Sequence, residues 1–435
     1  MKFGGTSMGS PDRIKNVASI IEGKKDNTIV VVSAMSGTTN TLIDICCKLK
    51  DKHCNEAKQC VATRHEHYRQ VACQLLETDE CRQRAIERID TLFKQMSELT
   101  KEEIFSDYEE RHIVATGEQL STKLLTEYLI ERRRDVAEWN ALHFMRTNNV
   151  GEVDTDYLHK TLTDMLSEIG VPKIIITQGF ICRNAYGEVD NLQRGGSDYT
   201  ATLISSAIQA ESCEIWTDVS GVHTSDPRWV NNTHTIPHLH FDEAIALAYH
   251  GAKVLHPVCV APNKQSNVPI RLLNTLAVDD EGTLIDGNHD DVVLKGMTTK
   301  DDIAVMQLTW NIAKGSTARK EMCNQITHYL SEIYLVHSTH TSLFICMEKG
   351  KHAELLLESM KQHGTINNRD DLSLLTLVGD GINAQITNTV IDIINAIRPH
   401  DIHTLSIGTS DNTITALIDK NYTKQILQQL NDALF

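Results

Sequence analysis

The sequence predicts an α/β protein with a mainly parallel central sheet between helical layers, followed by two ferredoxin-like α+β repeats. Three observations predict it. The continuous apolar run Ile29 to Val32 and the segment VPKIIITQGFI over residues 171–181 read as strands, buried on both faces. Small-residue loops and helical patterns follow such runs, as in open α/β sheets. From about Leu294 short strands alternate with short helices, in the order strand, helix, strand, strand, helix, strand, twice over. At 435 residues the chain exceeds one ordinary domain. The boundaries read as 1-290 for the α/β domain, with a helical excursion over 48-112, then 291-370 and 371-435 for the two repeats.

The first strand is short and leads through Gly4–Gly5 into a helix, with Ser10 as N-cap and Pro11 at the first helical position. Lys2 beside this glycine turn is placed to reach a phosphate; a solvent-facing edge lysine is the alternative. The run Ile29 to Val32 ends in the loop Ser33 to Asn40, where Ser36, Thr39 and Asn40 are candidates for touching substrate or for capping a helix. Residues 48–112 carry apolar positions at helical intervals among many charges, which predicts amphipathic helices with a solvated charged face. Gly117 and Glu118 precede the apolar-periodic segment Leu120 to Leu129. Glu118 therefore reads as a first-turn acid favoured by the helix dipole, or as the partner of an amine.

The stretch Asn191 to Ala201 concentrates unusual chemistry. Arg194 is followed by Gly195, Gly196, Ser197 and Asp198, and then by an apolar helical run. Adjacent glycines permit close backbone approach, and a helix start just beyond them favours an anion. Asp198 in the same turn suits a metal or an ammonium. A plain glycine-containing surface turn would read the same way. Further on, Glu214 to Thr217 reads as a strand before a polar turn, Phe241 to Tyr249 as a helix, and Gly251 as its C-cap with Lys253 beyond.

A net charge of −16 disfavours broad contact with nucleic acid or an anionic membrane. No apolar run approaches the ~20 residues of a membrane span, and no charged-then-apolar leader opens the chain. We therefore expect a cytoplasmic protein with neither nucleic acid nor membrane as partner. The 11 cysteines are scattered. With His53, His65 and His67 nearby they lack the clustered spacing of metal ligands, so reduced thiols are expected and no metal ligand is assigned.

Seven blocks in order carry a resemblance: KFGGTS, VVSAMSGTTN, TGEQLST, TQGF, RGGSDYTA, TDVSGVHTSDPR and GAKVLHP. Together they resemble the amino-acid kinase family over about Met1 to Thr275, and within it the aspartate kinases. The segment after 290 resembles paired ACT regulatory domains. The resemblance implies transfer of the γ-phosphoryl of ATP, with Mg2+, to the side-chain carboxylate of L-aspartate, the first step towards lysine, threonine and methionine. It implies Lys2, Asp198 and Arg194 as the catalytic set. Thr39, Glu118, Arg194, Gly195, Gly196 and Ser197 would hold aspartate. Lys2, Gly4, Gly5, Thr217, Asp218, His223, Arg228, Lys253 and Val254 would hold the nucleotide. It also implies an amino-acid effector, lysine or threonine, at the ACT domains, and a homodimer or higher homo-oligomer assembled through residues after about 300.

This chain departs from the family pattern at Gln193, where Gly is usual, and at His223, where Tyr is usual. It departs again over Lys314 to Met322 and His337 to Thr341 in the first repeat. An N-acylated substrate would leave Glu118 without an ammonium to meet. A catalytically silent amino-acid sensor working through the ACT pair is the reading from another class. Loss of Lys2 or Asp198 would favour it, and both are present.

Overall fold

In the computed structural model every residue is described except 102–103, 169–172, 193–194, 291, 311–314, 399 and 408–411. The chain divides into two units. The first comprises Met1–Val222, Pro237–Phe241 and Val254–Asn288; the second comprises His223–Ile236, Asp242–Lys253 and His289–Phe435.

The first unit runs β1 (Lys2–Phe3), α1 (Pro11–Glu22), β2 (Thr28–Val32), α2 (Thr38–Lys50), α3 (Cys54–Leu75), α4 (Asp79–Leu99) and α5 (Asp107–Glu131). It continues with β3 (Val136–Trp139), α6 (Thr155–Glu168), β4 (Ile174–Gln178), β5 (Ile181–Arg183), β6 (Val189–Asn191), α7 (Gly196–Ala207), β7 (Cys213–Thr217) and β8 (His238–His240). Only the first residue of α8 (Phe241–Tyr249) falls in this unit, and α9 (Pro257–Ser266), β9 (Ile270–Asn274) and β10 (Thr283–Asp286) complete it. Among the described residues the main sheet has the order β3-β4-β2-β1-β7-β9-β10-β8. Its pairs are parallel except β9 with β10. Both faces are covered, as the apolar runs require. Phe3, Val30, Val32 and Ile176 pack with Ile14, Leu42 and Leu124 of the helices, and Val31 and Ile175, which alternate with them, are buried as well.

Local signals explain where the helices start. Ser10 accepts a hydrogen bond from the Arg13 N–H at 3.3 Å, with Pro11 as the first helical residue. Ser106 and Glu109 form a reciprocal capping box at the start of α5. From there α5 continues unbroken to Glu131, so Glu118 lies in the helix interior. The first-turn reading of Glu118 is thereby corrected: the helix begins at Asp107, about three turns ahead of Glu118.

The second unit holds the rest of α8, then β11 (Gly296–Lys300), β12 (Ile303–Trp310), α10 (Gly315–Thr327), β13 (Ile333–Ser338), β14 (Ser342–Glu348), α11 (Lys351–Met360) and β15 (Gly364–Arg369). It ends with β16 (Leu372–Val378), α12 (Ile386–Ile397), β17 (Ile402–Ser406), β18 (Thr413–Asp419) and α13 (Thr423–Leu434). Among the described residues there are two four-stranded sheets, β13-β14-β12-β15 and β11-β16-β18-β17. Both are antiparallel and ferredoxin-like. The repeats do not simply follow one another at 371. The later sheet takes its outer strand, β11, from ahead of the earlier repeat, with Gly296 opposite Val378 and Lys300 opposite Leu374. This strand covers an edge of β16 that would otherwise present unpaired backbone groups.

β16 is buried along its whole length. Leu375 and Leu377 face Ile393, Ile397, Ile426 and Leu430 of α12 and α13. The alternate residues Leu372 and Leu374 meet Ile303, Val305 and Cys346 of the other sheet. The segment His223–Ile236 folds onto this core through Trp229 and Val230. The Lys424 ammonium lies 5.6 Å from the Trp229 ring centre, and Met297 N–H donates to the Thr224 carbonyl at 2.7 Å. Among the described residues no helix is long and apolar enough to cross a membrane.

Leu377→Ala is expected to cost about 2–5 kcal/mol of stability in urea unfolding. Leu330→Ala, at a side chain 58% exposed, should stay within about 0.5 kcal/mol. Equal effects would contradict the packing.

Candidate active site

The carboxyl ends of β1, β2, β4 and β7 open on one edge of the parallel sheet, where ligands of such sheets bind. Backbone bonds tie their loops together. Ser33 N–H donates to the Phe3 carbonyl at 3.1 Å, Ser36 N–H to Gly5 at 3.0 Å, Gly179 N–H to Val32 at 3.0 Å and Gly4 N–H to Trp216 at 3.3 Å. A cleft of about 400 Å³ lies here, lined by Gly5, residues 33–37, Thr39, Asn40, Glu118, Phe180, Gly196 and Ser197.

Lys2 Nζ forms an ion pair with Asp198 Oδ1 at 2.6 Å. The lysine is 8% exposed. Its ammonium lies over Gly4, where a Cβ would come within 3.4 Å of it. Asp198 stands in the first turn of α7, behind the N-cap Gly195. Gly195 has φ +79°, and a Cβ there would lie 2.4 Å from Cys259 Sγ. The turn is thus closed to other residues by conformation and by space. Phe180 is itself in the left-handed region at φ +67°, an uncommon setting for a bulky residue. Its N–H donates to Thr200 Oγ1 at 3.0 Å, and its ring packs so closely on Gly196 that a Cβ there would come within 2.6 Å.

Glu118 is 4% exposed. One carboxylate oxygen accepts from the Ala34 N–H at 3.2 Å. The other has no hydrogen-bond partner among the described residues. Burial pushes this carboxyl up to about 7, against the Ala34 hydrogen bond that lowers it. A buried carboxylate with one oxygen unsatisfied on a cleft is suited to a cationic ligand.

The cleft brings together Gly5, Thr39, Glu118, Gly196 and Ser197. Lys2, Gly4 and Asp198 gather beside one another. Arg194 and Gln193 lie outside the described residues. Thr217 ends β7 and gives its carbonyl to Thr275 N–H and Oγ1 at 2.8 and 2.9 Å. Asp218 beside it is exposed and Val254 half-buried. The other expected nucleotide residues, His223, Arg228 and Lys253, belong to the second unit. His223 bonds Thr233 Oγ1 at 3.1 Å, and burial, then neighbouring His234, lowers its pKa. Arg228 closes on the Asp226 carboxylate in a two-point bond, with Nε to Oδ1 at 2.9 Å. Sequence reasoning did not single out Ala34, Met35 or Phe180 as part of the cleft. They lie within the blocks VVSAMSGTTN and TQGF, where the polar neighbours drew the site assignment.

The amino acid kinase family matches residues 1–274, and the chain belongs to that family. A bifunctional aspartokinase/homoserine dehydrogenase from Haemophilus influenzae is 28% identical over the whole of this chain, which spans 56% of that protein. An aspartokinase from Chlamydia trachomatis is also 28% identical over the whole chain and 97% of its own length. The crystal structure of E. coli aspartokinase III with aspartate and ADP (R-state) aligns over 100% of this chain and 99% of its own, with TM-score 0.85 and 25% identity. The same enzyme with lysine and aspartate (T-state) aligns with TM-score 0.79, 25% identity, and coverage of 100% and 98%.

Folded, ligand-free Glu118 holds its proton up to about 7, whereas its ordinary value is 4.5. The group therefore favours folding below about 4.5, and that advantage is lost as pH rises through about 7. Urea titrations at pH 5 and pH 8 should show a fall in stability that is smaller in Glu118→Gln. Identical falls would show that Glu118 binds protons alike in the folded and unfolded chain over this range.

Proposed function

We propose that the chain transfers the γ-phosphoryl group of ATP to the side-chain carboxylate of L-aspartate, giving 4-phospho-L-aspartate and ADP, the first step of lysine, threonine and methionine biosynthesis. The observation that carries this reading is Glu118, a buried carboxylate with an unsatisfied oxygen on the cleft, which suits the α-ammonium of an amino acid. Residues 1-290 would hold the catalytic work and the ferredoxin-like repeats, as ACT domains, the regulation.

The acceptor carboxylate is ionised at neutral pH, so no base is needed. The difficulty is bringing two anions together and steadying charge in a loose transition state. Positioning and electrostatics then supply the catalysis. Lys2, aimed by Asp198, offsets phosphate charge beside the Gly4–Gly5 backbone. Arg194 would fork onto the aspartate α-carboxylate, Glu118 would take the α-ammonium, and Thr39 with Gly195, Gly196 and Ser197 would complete the substrate side. Thr217, Asp218, His223, Arg228, Lys253 and Val254 keep the nucleotide role that the resemblance implies. Mg2+ fits the hard carboxylate oxygens of Asp198, since this ion takes one or two protein carboxylates together with phosphates. When bound it supplies further neutralisation of phosphate charge.

The E. coli enzyme crystallised with lysine supports an amino-acid effector, which we assign, as lysine or threonine, to the ACT repeats. We extend the reading to a homodimer or higher homo-oligomer joined through residues after about 300.

With ATP and Mg2+, ADP release should require L-aspartate and fail with N-acetyl-aspartate. Lys2→Ala should lower kcat by about 10²-fold or more, and Arg194→Ala should raise the aspartate KM at least about tenfold. Turnover without aspartate dependence would overturn the reading. Because the ammonium pairs with ionised Glu118, aspartate KM should rise as pH falls below about 7. Glu118→Gln should bind weakly at every pH; an unchanged pH profile in that variant would remove Glu118 from the substrate side.

A further inference from the structure

The long helix α3 lies in the region that reads from sequence as a solvated excursion, yet one of its faces reaches the loop that lines the cleft. Tyr68 is fully buried, and its hydroxyl bonds Thr38 Oγ1 at 2.9 Å. One turn earlier, Arg64 Nη2 donates to the Gly37 carbonyl at 3.4 Å and also to Thr41 Oγ1. Residues four apart share a helix face, so Arg64 and Tyr68 form one continuous contact. Thr39 and Asn40, which line the cleft, sit between the bonded residues Thr38 and Thr41.

The opposite end of this contact is anchored. His65 and Arg69, also four apart, both bond Asp90 of α4, at 2.7 and 2.8 Å. The His65 ring stacks on Phe93 with centroids 4.6 Å apart. On the cleft side, Gly117 of α5 lets Ala34, Leu42 and Thr38 pack flush against it. A Cβ at that position would come within 3.0, 3.3 and 3.4 Å of them. Ala34 in turn donates to Glu118. Further along, Leu42, Ile45, Cys46 and Leu49 of α2 share a core with Ala57 and Val61 of α3, and an open cleft of about 570 Å³ runs beside them along Thr41, Lys48, Cys60 and Thr63. Among the described residues the side-chain hydrogen bonds from α3 to residues 37–41 come from these two side chains.

We propose that α3 positions the substrate loop, with Tyr68 and Arg64 as positioning residues that hold Thr39 and Asn40 in register with Glu118. The proposal rests on the aspartate reading above. Neither residue lines the cleft of the substrate. They act through the backbone and hydroxyls of residues 37–41, so their loss should loosen aspartate and leave the nucleotide and the chemical step alone.

Tyr68→Phe removes one hydroxyl and keeps the volume. It should raise the aspartate KM roughly two- to tenfold, the range of one buried neutral hydrogen bond, with ATP KM and kcat within about twofold. Thr38→Val should do the same, and the double variant should do no more than either single one. Arg64→Gln, half-exposed and without risk to the core, should shift the aspartate KM in the same direction. Unchanged aspartate KM in Tyr68→Phe and Arg64→Gln would overturn the proposal, as would an equal rise in both KM values or an additive double variant. Wild-type protein without aspartate-dependent turnover would overturn the functional reading and this inference with it.

Discussion

A reaction between two anions in a chain of net charge −16 depends on where cations are fixed. Lys2 is a cation fixed at the carboxyl end of the parallel sheet in the first unit. It stands on a two-residue strand held between β2 and β7, mostly buried, and Asp198 fixes its ammonium at 2.6 Å. A free surface lysine would spend its charge in water and carry several rotamers. This one is desolvated and aimed before a ligand arrives, which is what electrostatic preorganisation requires. Gly4 leaves space over the backbone, Gly195 turns α7 so that Asp198 points inward, and the Cys259 thiol fills the space beneath.

The second fixed charge has the opposite sign and the opposite logic. Glu118 is kept on the cleft by burial, which works against its ionisation, and one oxygen remains unsatisfied. A group in that state costs the empty protein stability and returns it when a cation binds. Lys2 and Glu118 thus divide the site into a region prepared for negative charge and a point prepared for positive charge. An α-amino acid whose side chain ends in a carboxylate suits that division.

Much of this was legible in the sequence because it depends on local chemistry. Ser10 with Pro11, the apolar run Ile29 to Val32 and the glycines around Asp198 each need little beyond their neighbours to take their observed form. Glu118 was legible as a residue that could meet an amine and misread as a piece of structure. The capping box that starts its helix lies at Ser106, beyond the window in which the apolar period is strong. The role of α3 was hidden because Tyr68 and Arg64 sit among charges that read as solvent-facing, and their partners are 23 to 30 residues away in sequence. β11 was hidden for a similar reason: GMTTK has weak strand character, and its partner β16 lies beyond an entire intervening repeat.

That interleaving reaches the motif-bearing residues as well. His223 and Arg228 sit in a segment whose Trp229 and Val230 are part of the core of β16, β18, α12 and α13. Thr224 bonds Asn431 of α13 at 3.4 Å and takes the Met297 N–H of β11. Lys253 follows α8, where Tyr249 donates to the Ile333 carbonyl at 2.8 Å and its ring meets Tyr334 at 5.3 Å. Gly251, at φ +125°, lies against Thr299, where a Cβ would come within 2.6 Å of its carbonyl oxygen. These residues resemble nucleotide-binding residues in sequence and are repeat residues in packing. A change in how the two repeats pack would therefore act on these residues directly, through the core and the hydrogen bonds they already share with the repeats.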